Sequence, residues 1–230
     1  PIMTRSVKVL MNVLNVLLHV IVVVRPENKE KYQRVLNERL KERDTGDLLV
    51  VPNERADETN NAYSLLLGLK ALKSGEFPKD VLVMNADIAL LATKEGGGQV
   101  IPSAPSALVS LDPPSFDFMR VFVEDGAVKY MGFDIPSHLA NGVLGGIFIP
   151  KRAFNTFYSD YSEIVEGGGS LAWFEYVVDH LILSKRLKLE VWPLLDQLHW
   201  WEVDTHDDYV KTLTLDRMAR LSLKGKGAEP

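Results

Sequence analysis

The apolar positions of this chain fall into short blocks whose spacing switches between helical and strand-like. From Val7 onward a long apolar run is interrupted by Asn12, Asn15 and His19. Within it Leu10, Leu14, Leu17 and Leu18 keep one helical stripe, which predicts a core-facing helix rather than a membrane span. That helix is expected to continue to His19 and to meet the next strand without a turn residue. Val20–Val24 is a β-branched block and predicts a buried parallel strand. Arg25-Pro26-Glu27-Asn28 breaks the chain, and Glu30–Arg43 reads as a charged helix with Tyr32, Val35, Leu36 and Leu40 on one side. Leu48–Val51 predicts a short strand. Thr59-Asn60-Asn61 then precedes an apolar helix over Ala62–Leu72, where an asparagine can cap the free amides. The stretch Val81–Leu90, VLVMNADIAL, is a run of buried-strand residues that ends in Asn85, Ala86 and Asp87.

Downstream the pattern changes. Gly96-Gly97-Gly98 interrupts the chain, Ala107–Leu111 predicts a strand, and Phe118–Val123 with Val128–Met131 predicts a hairpin about Asp125-Gly126. Gly142–Ile149 predicts a strand whose glycines admit a ligand or another backbone at close range. Lys151–Tyr161 and Leu171–Ser184 read as helices, Leu187–Trp192 and Trp200–Val203 as the final strands, and Asp207–Leu221 as a closing helix. The early alternation of helix and strand is the rhythm of a parallel sheet with right-handed crossovers. The expected fold class is therefore α/β: a three-layer, Rossmann-like, mostly parallel central sheet with a small antiparallel extension over 107–149. One domain is expected over 1–221, followed by a tail over 222–230.

Composition narrows the function classes. With 230 residues and 46% hydrophobic content, the chain can bury one large core. A formal net charge of −5, with Lys and Arg scattered among acids, offers no basic surface for a nucleic acid. The absence of cysteine excludes disulfides and thiolate zinc sites and fits a cytoplasmic protein. No cleavable signal and no membrane partner are expected.

The candidate chemistry lies in carboxylates. In open α/β sheets ligands bind beyond the carboxyl ends of the strands, and Asp87 stands where a strand runs out, placed to hold a divalent cation against a phosphate. Taken alone it could equally cap the turn. A second acidic group, Glu202 and Asp204 in WWEVDTHDDY, has the two-residue spacing that puts both side chains on one face of a strand. An exposed edge face is the plainer reading of that pair. The five histidines show no metal-ligand spacing.

TNNAYSLLLGL, VLVMNADIAL, VKYMGFDIPSHLANGVLGGIFIPKRAF and WFEYVVDHLI with WWEVDTHDDY occur in an order that resembles nucleotidyltransferases of the phosphocholine cytidylyltransferase and sugar-phosphate nucleotidyltransferase type. These are GT-A-like members of the nucleotide-diphospho-sugar transferase superfamily. The resemblance spans about Val20 to Leu213. It implies attack of a phosphate or phosphonate oxygen on the α-phosphorus of a nucleoside triphosphate, CTP favoured, with release of pyrophosphate. Such chemistry is positioning and charge neutralisation. By resemblance Asp87, Glu202 and Asp204 would hold Mg²⁺, and Asn60, Asn61 and Ser64 would lie near the base and sugar, although helix capping also explains them. Trp173, Trp200 and Trp201 would border an acceptor such as phosphocholine or a sugar phosphate, since tryptophan faces bind quaternary ammonium groups; ordinary core positions are the competing reading.

Relatives of this type open with a strand, a glycine-rich loop and a Lys-Pro pair, and the loop's amides cradle the triphosphate. PIMTRSV at the start of this chain resembles the segment just after that lysine, and Lys8 is the candidate to stand in for it as a catalytic cation. The departure leaves a second expectation, a non-catalytic nucleotide-binding or scaffold relative. A glycosyltransferase of similar fold is disfavoured, because Asp87 in Asn-Ala-Asp has no second acid beside it. The expected partners are the nucleotide and a small phosphorylated acceptor, with a homo-oligomer left open.

Overall fold

The computed structural model describes residues 2–14, 19–40, 47–75, 80–92, 100–110, 119–194, 198–203 and 205–214. Helix α1 spans Ile2–Leu14, and its expected continuation over 15–18 lies outside the described residues. Strand β1, Val20–Val24, pairs in parallel with β2, Leu48–Pro52, in the register Val22↔Val50. The crossover between them contains α2, Lys29–Arg39. Leu36 on that helix and Leu40 just beyond it are buried against Val7, Val22 and Val50, so the charged helix is held by one apolar stripe. This part follows the parallel pattern read from the sequence.

The largest sheet does not. After α3, Asn61–Ser74, come β3, Val81–Val83, and β4, Ile88–Ala92. Then come β5, Ser106–Ser110; β6, Arg120–Glu124; β7, Ala127–Gly132; and β8, Gly142–Ile149. Helices α4, Lys151–Glu166, and α5, Phe174–Leu183, precede β9, Glu190–Pro193, and β10, Leu198–Glu202. Among the described residues six strands join in the order β3-β8-β5-β9-β7-β6, and only the β5–β9 pair is parallel. The expectation of a mostly parallel sheet is thus corrected, and strands within 106–149 form the body of this sheet rather than a small extension. Local connection explains the difference. Asp125 and Gly126 both take positive φ, 52° and 72°, closing a two-residue hairpin, and a chain that turns back so tightly can only pair antiparallel.

Alternation along these strands feeds two faces. Ala107, Val109, Ile147 and Ile149 point into a core shared with Leu66, Leu69, Phe157, Tyr161, Val178 and Leu181 of α3, α4 and α5. Leu108, Phe148 and Trp192 point the other way, where Leu14 of α1 covers them. Helix therefore lies on both sides of the sheet, the three-layer arrangement of the α/β class. The glycines of β8 serve close approach of backbone: a Cβ on Gly146 would lie 2.5 Å from the Val83 carbonyl oxygen. Among the described residues no helix is long and apolar enough to cross a membrane.

Candidate active site

The stretch VLVMNADIAL is two strands, not one. A turn at Asn85–Asp87, drawn in by the Ile88 amide on the Asn85 carbonyl at 3.4 Å, separates β3 from β4. Beyond the turn β4 leaves the six-stranded sheet and pairs antiparallel with β10, Ile88 opposite Glu202. The Val203 amide extends the ladder by donating to the Asp87 carbonyl at 3.1 Å. Asp87, in the turn, and Glu202, opposite Ile88, are both half-buried and stand one ladder position out of step, an offset that in a regular ladder turns two side chains to opposite faces. Asp204, the third expected ligand, lies outside the described residues. Helix α1 braces the same corner: the Ser6 hydroxyl donates to the Ile88 carbonyl at 2.9 Å and accepts the Leu90 amide at 3.0 Å. Lys8, two residues on and so about 200° around the helix from Ser6, is exposed.

Behind the turn stands a buried acid that sequence reasoning missed. Glu175, in the first turn of α5, is only 3% exposed. Its Oε1 accepts a hydrogen bond from the Asn85 amide at 3.0 Å, while Oε2 is buried without a hydrogen-bond partner. Burial pushes the Glu175 carboxyl above its ordinary range and the nearby Asp87 charge adds to the push, against the hydrogen bond from Asn85. Nothing in WFEY distinguishes this glutamate from a solvated helix-start acid, which is why the sequence did not single it out.

Of the residues expected on the nucleotide side, Asn61 is linked to the helix that carries Glu175. Asn60 is the N-cap of α3, its side chain accepting from the Asn61 amide at 2.7 Å. Asn61 reaches across instead: its Oδ1 accepts the Phe174 amide at 2.7 Å, capping α5 one residue before Glu175. Ser64 is held by Asn53, a residue 3% exposed whose amide donates to the hydroxyls of both Ser64 and Thr59 at 3.2 Å. The Asn53 Oδ1 accepts the Arg55 amide at 3.0 Å, an Asx turn that shapes the loop from β2 into α3. Asn53 is a second residue missed, hidden among turn formers.

Trp173 immediately precedes α5 and is 45% exposed, and Tyr176, one turn on, is 43% exposed. Phe133 packs edge-on against both, with ring centroids at 5.9 Å and 6.4 Å. Beside Phe133, Asp134 accepts the Tyr130 hydroxyl at 2.8 Å, and that bond, with burial, raises the tyrosine to about 12. The result is an aromatic rim with the exposed Asp134 carboxylate beside it. Trp200 and Trp201 lie in β10 opposite Leu90 and Ala89.

Asp87 in the turn and Glu202 on β10 carry carboxylate oxygens, the type of donor a hard divalent cation such as Mg²⁺ takes. Among the described residues no three acidic or histidine side chains converge as a complete metal site.

Neither a family model nor a curated protein sequence matches the chain. Solved structures do match in fold. The CTP:phosphocholine cytidylyltransferase of Streptococcus pneumoniae is 17% identical, with a TM-score of 0.60 over 87% of this chain and 78% of that one. The inositol-1-phosphate CTP transferase of T. maritima is also 17% identical, with a TM-score of 0.65 over 93% and 82%. The nucleoside-diphosphate-sugar pyrophosphorylase of Vibrio cholerae is 14% identical, with a TM-score of 0.65 over 93% and 87%. At such identities the likeness establishes the fold, and the fold of this chain is the one seen in those nucleotidyltransferases.

Proposed function

We propose that this protein is a Mg²⁺-dependent nucleotidyltransferase that passes a nucleotidyl group, with CTP as the favoured donor, to a small phosphorylated or phosphonate acceptor such as phosphocholine or a sugar phosphate. An acceptor oxygen forms the new bond to the α-phosphorus, the bond from that phosphorus to the bridging oxygen breaks, and pyrophosphate leaves. The observation that carries the reading is the corner where the Asn85–Asp87 turn leads into the strand paired with β10, tied through Asn85 and Glu175 to the N-termini of α5 and α3. Asp87, Glu202 and Asp204 would hold the ion, which when bound neutralises charge on the phosphates. Asn60 and Ser64 stand on the nucleotide side of this corner, with Asn61 orienting both helix starts.

The aromatic rim bears on the acceptor. Trp173, Tyr176 and Phe133, with Asp134 alongside, offer ring faces and negative charge, which suit a cationic head group such as that of phosphocholine.

Pyrophosphate release tests the proposal: CTP, UTP, TTP, ATP and GTP are each paired with phosphocholine and with sugar phosphates, with Mg²⁺ or with EDTA. Release that needs one nucleotide, one acceptor and Mg²⁺ supports it. CTP-dependent thermal stabilisation with no pyrophosphate from any pair would instead make the chain a non-catalytic nucleotide-binding relative.

A further inference from the structure

We propose that Glu175 is a positioning residue that sets the Asn85–Asp87 turn for cation binding. This rests on the metal-site reading above and adds a residue to it. Glu175 reaches the turn from α5 through one part-buried hydrogen bond, Asn85 Nδ2 to Oε1 at 3.0 Å. The helix that carries it is fixed at its start: the Phe174 amide is tied to Asn61 Oδ1 at 2.7 Å, one residue before Glu175. Asn61 therefore holds the backbone from which the Glu175 carboxylate reaches the turn. Two residues past Asn85, the Asp87 carbonyl is tied to β10 through the Val203 amide. The turn is thus pinned at one end by a side chain from α5 and at the other by a strand.

The arrangement is costly for stability alone. A buried carboxylate with one oxygen lacking a hydrogen bond is disfavoured by desolvation, and a neutral side chain could fill the space without that penalty. A residue that only packed α5 against α3 would have no need of a carboxylate. A rigid acceptor aimed at Asn85 does need one or its isostere. Ligands of a cation require a supporting shell of this kind, and loss of such a partner lowers metal affinity by about 10–100-fold.

Four variants of the intact chain test the idea: E175A, E175Q, N85A and the E175A/N85A pair. Mn²⁺ binding by electron paramagnetic resonance and exchange of the Val203 amide are the readouts, with thermal melting as the control for folding. E175A and N85A are each expected to weaken Mn²⁺ about tenfold and to speed Val203 exchange, and the pair is expected to do no worse than either single change. E175Q keeps the acceptor for Asn85 and is expected to stay within about twofold of the parent in Mn²⁺ binding. Folded E175A with parental exchange overturns the proposal, as does E175Q failing as badly as E175A, or additive losses in the pair. If the parent itself binds no Mn²⁺, the metal-site reading and the cation-binding purpose assigned to Glu175 both fall. Faster Val203 exchange in E175A would then still show that Glu175 holds the turn.

Discussion

Asn61 begins one helix and caps another: its Oδ1 accepts the first amide of α5, at Phe174, across 2.7 Å and 113 residues of sequence. Asn61→Ala removes that acceptor. Loss of a cap costs about 0.5–2 kcal/mol, and the variant is expected to fall within that range. Urea denaturation would read the change, and an unchanged midpoint would mean that α5 does not depend on Asn61.

Asp87→Asn and Asp204→Asn bear on the proposed ion. Each keeps side-chain volume while weakening a hard anionic ligand, so pyrophosphate release is expected to drop by about 100-fold or more. Circular dichroism and melting temperature are expected to stay near the parent. Undiminished turnover in Asp87→Asn would remove Asp87 from the machinery.

Gly146 tests the sheet. An alanine there would put its Cβ 2.5 Å from the Val83 carbonyl oxygen and 2.9 Å from Met84 Cγ, just before the turn that bears Asp87. Backbone would have to move, and overpacking of this kind costs about 1–3 kcal/mol. Gly146→Ala is expected to lower both the urea midpoint and turnover, because the displaced strand leads into the site. A variant as stable as the parent would show that β3 can yield there.

Asp179 gives a pH signature away from the proposed ligands. Buried at 6% exposure, it accepts the Met131 amide at 2.7 Å, and burial raises its carboxyl above the ordinary 3.8, with the Asp134 charge adding to the rise. A raised folded value means that the folded state holds the proton more tightly than the unfolded one. The stabilising contribution is fully present below 3.8 and is lost as pH rises through the folded value. Asp179→Asn keeps the acceptor and drops the charge, so urea midpoints measured across the acid range are expected to lose less with rising pH than those of the parent. Parallel profiles would exclude Asp179 as the source.

Short-range pattern was legible in the sequence. Val20–Val24 and Gly142–Ile149 form strands with the expected bounds, Asp125-Gly126 makes the hairpin turn, and Asn60 caps α3, because β-branching, positive φ and capping act between near neighbours. The residue order that resembles nucleotidyltransferases also pointed to the fold. Tertiary structure decided what those patterns leave open. Strand direction depends on which distant segments pair, so four strands within 106–149 became the body of an antiparallel sheet, and VLVMNADIAL divided between two sheets because β10 was available to Ile88–Ala92. Glu175 shows the same limit in one side chain. A glutamate at a helix start is ordinarily solvated, and only the meeting of α5 with Asn61 and Asn85, 114 and 90 residues away in sequence, buries it.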